Sequence, residues 1–357
     1  MDKNIQNSRL KELDALRGLA ALMVVFFHFT MGRTEAKLGF KLGTTGVDLF
    51  FIISGFVIYM SIGRVKTSLD FVINRVSRLY PTYWTCVTFT FILIAANSIF
   101  KNAGSEHIDF IAYIANMTMF HFYFEIPSID GTYWTMIIEM IFYLGILFLF
   151  HFKWLKYLNL IGLALTLIVV AAASFWPQTY LVTRIMYWMP LLQFIPLFLA
   201  GTVFYKIYTS ETKRLENYAL LFVCLISQIL LFKFAGGSKR YISHSEYAIM
   251  LVIYFSLFIL FVNNKLGFIV SKWSLFLGKI SFALYLIHQY ISIRVIIPYL
   301  VDDLHYNFWL ASLFVALPVV ILLASLITYF IEVPFSKKLK EKLRSLTSVK
   351  TSPSVGN

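Results

Sequence analysis

The sequence predicts an all-α membrane protein, a polytopic bundle of about ten transmembrane helices, and three observations predict it. Hydrophobic residues fill 59% of the 357 positions and charged residues only 14%, against about 25% charged in an ordinary soluble domain. Mean hydropathy is +0.75. Apolar runs recur from Leu13 to Ile331 and are not gathered into one anchor. A chain this apolar cannot coat itself in polar side chains, so a soluble two-domain protein, which length alone would allow, is excluded.

A spanning helix needs roughly 20 mostly apolar residues. Runs of that kind lie near 13–32, 44–62, 82–100, 132–151, 157–176, 188–208, 217–235, 246–263, 273–297 and 308–331. The first, LDALRGLAALMVVFFHFT, carries Asp14 and Arg17 and lacks a small-residue cleavage site after it, so it is expected to stay as a membrane helix. An eleventh run at 108–125 is short and carries His107, Asp109, His121 and Glu125. Lys and Arg concentrate on the cytoplasmic side of membrane proteins, and this rule decides its status. If 108–125 does not cross and the N-terminus is inside, 22 of the 31 Lys and Arg lie inside and nine outside. If it crosses, every later segment flips and the balance becomes 13 inside against 18. The expected topology therefore has ten spans and both termini in the cytoplasm, with 108–125 a re-entrant or interfacial segment on the outer side.

The formal charge of +13 would point to nucleic acid in a soluble protein. Here the positives sit between apolar runs, where they set orientation. Cys86 and Cys224 both fall inside apolar runs, so no structural disulfide is expected. No internal repeat is visible. Residues 1–335 are expected to form one membrane domain, and 336–357, basic and then rich in Ser and Thr, a disordered cytoplasmic tail.

Ionisable groups within spans mark functional sites by default. Arg17 and His28 lie eleven residues apart in the first span, about 16 Å at 1.5 Å per residue. Alone, Arg17 reads as a snorkelling anchor and His28 as a hydrogen-bonded imidazole; together they favour a polar path between the two sides. Asp48 opens the second span, where a helix N-terminus favours negative charge. Arg75 and Arg78, three apart, share a helix face at the inner rim. A membrane-surface helix and a phosphate fork both have this pattern. Glu139 stands inside the fourth span with no basic residue of its own helix nearby, and a buried carboxylate needs a partner or a proton. A pair with His28 would supply one. His288 lies past the midplane of the ninth span, and Glu332 at the inner rim is a helix-end carboxylate expected to contact Lys or Arg. Arginines thus gather inside, while His28, Asp48, Glu139 and His288 gather in the outer half. This direction suits a transferase with a cytoplasmic donor and an acceptor on the other side.

In order and spacing these motifs are specific. LDALRGLAAL with Arg17 and His28, GVDLFFIISGF at 46–56, Arg75 and Arg78 followed by LYPTYW, YWTMIIE ending in Glu139, SFALYLIHQ containing His288, and IEVPF around Glu332 succeed one another along the chain. The chain resembles the acyltransferase 3 family of integral membrane acyltransferases over roughly residues 10–336. The resemblance implies a ten-helix core and transfer of an acyl group, most often acetyl, from cytoplasmic acyl-coenzyme A to extracytoplasmic glycans and some small molecules. The family's first-helix Arg and His match Arg17 and His28, and its arginine pair matches Arg75 and Arg78. Where its fourth-span motif often has Ser, this chain has Thr135, which keeps the hydroxyl. Some relatives carry a fused esterase-like domain that this sequence lacks, so direct transfer or a separate partner protein is expected.

The resulting expectation is an O-acyltransferase of a bacterial inner membrane. His28 is the general base on a sugar hydroxyl and Glu139 orients its imidazole. Arg17, Arg75 and Arg78 hold the phosphates of acetyl-coenzyme A, with Asp14, Asp48, His288 and Glu332 as supporting polar groups. A covalent acyl-His step stays open. No metal is expected. The acceptor is a glycan or lipid-linked saccharide of the O-antigen or polysaccharide kind. The runner-up is a proton-coupled transporter or flippase with His28 and Glu139 as relay, against which stands the lack of a visible repeat.

Overall fold

The computed structural model describes residues 10–34, 36, 39–100, 109–209, 214–234 and 238–348. Every regular element among them is helical. In chain order these are α1 Lys11–Thr30, α2 Gly46–Ile62, α3 Ser68–Phe100, α4 Phe110–Met117, α5 Trp134–His151, α6 Leu158–Phe175, α7 Tyr180–Trp188, α8 Ile195–Thr209, α9 Arg214–Leu230 and α10 His244–Val262. Two long helices follow, α11 Lys272–Asp303 and α12 Phe308–Thr347. Nine helical runs among the described residues are long and apolar enough to cross a membrane, and α8 is a shorter apolar helix. The protein is an all-α polytopic bundle. The run expected as a span at 188–208 is broken at Pro190, where a 3-10 turn separates α7 from α8.

Prolines also shape α11 and α12. Pro lacks the N–H that closes an α turn, and π turns re-pair the backbone close by. In α11 these are Ile291–Ile296 and Tyr299–Asp303, on either side of Pro298. In α12 they are Ala311–Ala316 and Thr328–Glu332, each two residues before Pro318 or Pro334.

The segment near 108–125 contains α4, eight residues and about 12 Å long against the roughly 30 Å of a hydrocarbon core, and a 3-10 turn at His121–Phe124. His107 and Ile108 lie outside the described residues. Asp109 begins α4 by accepting the Ala112 N–H at 2.7 Å. Carbonyls at a helix end are short of intrahelical donors, and α3 adds side-chain donors to those of residues 116–118. Tyr83 donates to the Asn116 carbonyl (2.9 Å), Trp84 to Met117 (3.0 Å) and Tyr80 to Thr118 (3.1 Å). The LYPTYW run therefore works as a cap on the segment that follows it.

The chain divides into two compact units, Met1–Ser61 with Lys156–Ser281, and Ile62–Leu155 with Phe282–Asn357. Within the first, helices cross on small residues. A Cβ on Gly278 would stand 2.1 Å from the Asp14 carbonyl oxygen, and one on Gly18 2.7 Å from the Gly278 nitrogen. The α2–α8 crossing at Gly55 and Gly201 is as close, with 2.2 Å to the Phe198 carbonyl and 2.1 Å to that of Ile52. In membranes such close backbone approach is a main source of helix–helix packing.

Within the second unit, one expectation is corrected. Residues 336–347, expected to be disordered, are the last three turns of α12 and pack along α3, with Arg344 3.8 Å from Asp70. The reason is patterning: Leu339 and Leu343, four apart, are partly covered, while Lys337, Lys338, Glu341 and Lys342 are exposed. Residues 349–357 lie outside the described ones.

Candidate active site

In the first unit, α1 carries Asp14, Arg17 and His28, all half-buried. The Gly18–Gly278 crossing sets the turn bearing Asp14 and Arg17 directly against α11. Near the other end of α1, His28 Nδ1 lies 3.0 Å from the Val24 carbonyl oxygen. A carbonyl only accepts, so Nδ1 holds the proton and Nε2 presents a lone pair. That is the tautomer a general base requires.

Asp48, in the first turn of α2, is buried and fully engaged with its neighbours. It accepts the Tyr247 hydroxyl of α10 at 2.8 Å, and that oxygen accepts from Gln228 of α9 at 3.0 Å. Thr45 and Tyr254 pair at 2.6 Å one turn away. This network ties three helices together.

The second unit holds the other cluster. Arg75 and Arg78 share a face of α3 as expected, but Arg75 is no solvated rim residue. It is 9% exposed, with its guanidinium carbon 5.7 Å from the ring centres of both Phe71 and Tyr143. Two aromatic faces stabilise a cation that water does not reach. Arg78 is half-buried. Tyr143 also donates its hydroxyl to Glu139, one turn before it on α5. Arg75 and Glu139, read from sequence as belonging to opposite halves, thus meet on one tyrosine.

His288, on α11, is fully buried, with Nδ1 3.0 Å from the Leu284 carbonyl and 2.9 Å from that of Tyr285. It has the same tautomer as His28, for the same reason. The loop before α5 is stapled beside it. Asp130 accepts from the Thr132 N–H, the Thr132 hydroxyl and the Tyr290 N–H, each at 3.0 Å. Thr135 shares a 2.9 Å hydrogen bond with Tyr285. Glu332 accepts the Thr328 hydroxyl at 3.4 Å.

His28 belongs to the first unit and Glu139 to the second. Two residues of this cluster were not singled out from the sequence. Tyr143 stands four after Glu139, the spacing that puts both on one helix face. Asp130 precedes Gly131 and a helix start, a capping signature. Outside the spans, burial raises the Asp130 carboxyl from 3.8 to about 6, with its three donors pulling the other way. Burial lowers the His121 imidazole from 6.5 to about 4. Among the described residues, no three His, Cys, Asp or Glu side chains group as a metal site.

A family model described as an acyltransferase domain, acyltransferase 3, matches residues 10–329. The chain belongs to the acyltransferase 3 family. The match takes in every expected site residue except Glu332. A putative acetyltransferase of Acidianus two-tailed virus is 26% identical over 293 residues, 76% of this chain and 80% of the relative. The O-acetyltransferase OatA of Staphylococcus aureus is 25% identical over 375 residues, 95% of this chain and 59% of the relative. The peptidoglycan O-acetyltransferase OatA of Listeria monocytogenes is 31% identical over 160 residues, 40% of this chain and 25% of the relative. The chain thus spans most of the viral relative's length but under two thirds of the two bacterial ones. No solved structure matches it. Membership of acyltransferase 3 joins the helical bundle to acyl transfer.

Proposed function

We propose that this acyltransferase 3 protein is an O-acetyltransferase of a bacterial inner membrane, with both termini in the cytoplasm. It takes acetyl from cytoplasmic acetyl-coenzyme A and passes it to a hydroxyl of an extracytoplasmic or lipid-linked glycan. The observation that carries this reading is His28 Nδ1 held 3.0 Å from the Val24 carbonyl, which makes Nε2 the basic nitrogen of the neutral ring. The relatives' names support the reaction type, and the peptidoglycan enzyme supports a glycan acceptor.

The acceptor oxygen attacks the thioester carbonyl as its proton moves to His28 Nε2. The new C–O bond replaces the C–S bond, and the proton passes from the imidazolium to the departing thiolate. Glu139 is the second acid–base group. Arg17, Arg75 and Arg78 hold the donor's phosphates, because a guanidinium offers a planar fork matched to phosphate oxygens. Asp14, Asp48, His288 and Glu332 keep these groups in place.

Incubating the purified protein with acetyl-labelled coenzyme A and candidate glycans tests the reading. Label appearing on glycan hydroxyls is the expected result. Label remaining on coenzyme A with every glycan offered, lipid-linked saccharides included, would overturn it.

A further inference from the structure

One side chain in the second unit serves two of the groups named above. Tyr143 is buried on α5. Its hydroxyl donates to the Glu139 carboxylate one turn away, and its ring lies under the Arg75 guanidinium at 5.7 Å. Phe71 lies at the same distance from that guanidinium carbon, so two rings confine Arg75. The hydroxyl reaches both groups, donating to the carboxylate and hydrogen-bonding the guanidinium, while the ring adds a cation–aromatic contact. In low dielectric surroundings these interactions strengthen.

We infer that Tyr143 is a positioning residue of acyl transfer, aiming the Glu139 carboxylate through its hydroxyl and fixing Arg75 through its ring. This rests on the roles given to Glu139 and Arg75 in the proposed function. Donor grip and acid–base chemistry then share one support, and the parts of hydroxyl and ring can be separated by substitution. Y143F keeps the ring and loses the hydroxyl. Y143L loses both.

The test measures donor KM, kcat and affinity for a non-hydrolysable acetyl-coenzyme A analogue in correctly inserted full-length protein. Y143F should lower kcat roughly ten- to a hundredfold, the loss of one hydrogen bond to a charged group, and weaken analogue binding by no more than about tenfold, because the ring stays against Arg75. Y143L should show that fall and in addition bind the analogue roughly two- to thirtyfold more weakly than Y143F, as the cation–aromatic contact is lost. A purely structural role would instead lower the amount of folded protein and leave kcat per folded molecule alone. Unchanged kcat in Y143F overturns the inference, and so does a raised KM with kcat intact.

A second readout does not depend on turnover. In isotope-edited infrared spectra the Glu139 carboxylate band, identified by its loss in E139Q, should shift in Y143F, and an unmoved band overturns the inference. If the natural protein transfers no acetyl yet the band shifts, the proposed function fails while the positioning by Tyr143 stands.

Discussion

His28 and Asp130 sit at two ends of legibility. The imidazole inside an apolar run declares itself in the sequence, because a titratable group there needs a reason. Its proposed role as base makes a direct prediction. His28→Ala, assayed in membranes containing correctly inserted protein, should lose roughly 10²–10⁴-fold in glycan acetylation, and near-normal acetylation would remove His28 from the reaction. Asp130 was invisible, since an Asp before Gly reads as a turn, and only the fold shows it taking three hydrogen bonds from α11 and its own loop. Burial raises its carboxyl to about 6, so the folded chain holds that proton more firmly than the unfolded chain does. Its contribution to stability is full below about pH 4 and is lost as pH rises through 6. His121, lowered to about 4, has the opposite sign: its contribution is full above about 6.5 and lost as pH falls through 4. Asp130→Asn deletes the first contribution alone. Its melting temperature relative to the natural protein should therefore drop steadily from pH 7 to pH 4.5, whereas a constant offset would mean that Asp130 titrates as an ordinary carboxyl.

Element by element, the spanning helices were legible because run length and hydropathy are local properties. The short α4 was legible through charge balance alone, and the reason it ends where it does was not. That reason is three side chains of α3, Tyr80, Tyr83 and Trp84, on the carbonyls of residues 116–118. Tyr83→Phe should leave the Asn116 carbonyl without this donor, at a cost of about 1 kcal/mol. Hydrogen exchange should then rise at the amides of 110–118 and stay unchanged in α5. Equal exchange in both proteins would mean the cap is idle. The ordering of 336–347 was missed for the converse reason: a basic composition hid a leucine spacing of four. Likewise the role of Gly278 depends on a helix 260 residues away in sequence. Gly278→Ala puts a methyl against the Asp14 carbonyl and should destabilise the protein by about 1–3 kcal/mol, as overpacking does. Detergent-solubilised protein should then melt earlier, and an unchanged melting temperature would show that α1 and α11 can part at no cost.

For the whole molecule, the expected membrane orientation follows from the Lys and Arg bias, and it decides which side each cluster serves. Accessibility tags after Lys101 and after Pro127 should report the same, outer side; opposite sides would reverse every later segment. The pairing of Arg75 with Glu139 through Tyr143 was not legible at this scale, because a linear depth reading assigned the two residues to opposite halves. The proposed function gives donor grip and proton transfer to separate residues, and this division is open to a single measurement. Binding of a non-hydrolysable acetyl-coenzyme A analogue should be compared in the purified natural protein, Arg75→Ala, Arg78→Ala and His28→Ala. Each arginine variant should bind about ten- to a hundredfold more weakly, the loss of charge-assisted bonds worth about 1.5–3 kcal/mol, and His28→Ala should bind normally while transferring nothing. Normal binding by both arginine variants, together with loss of binding in His28→Ala, would contradict a donor held by the α3 arginines and used by the α1 histidine.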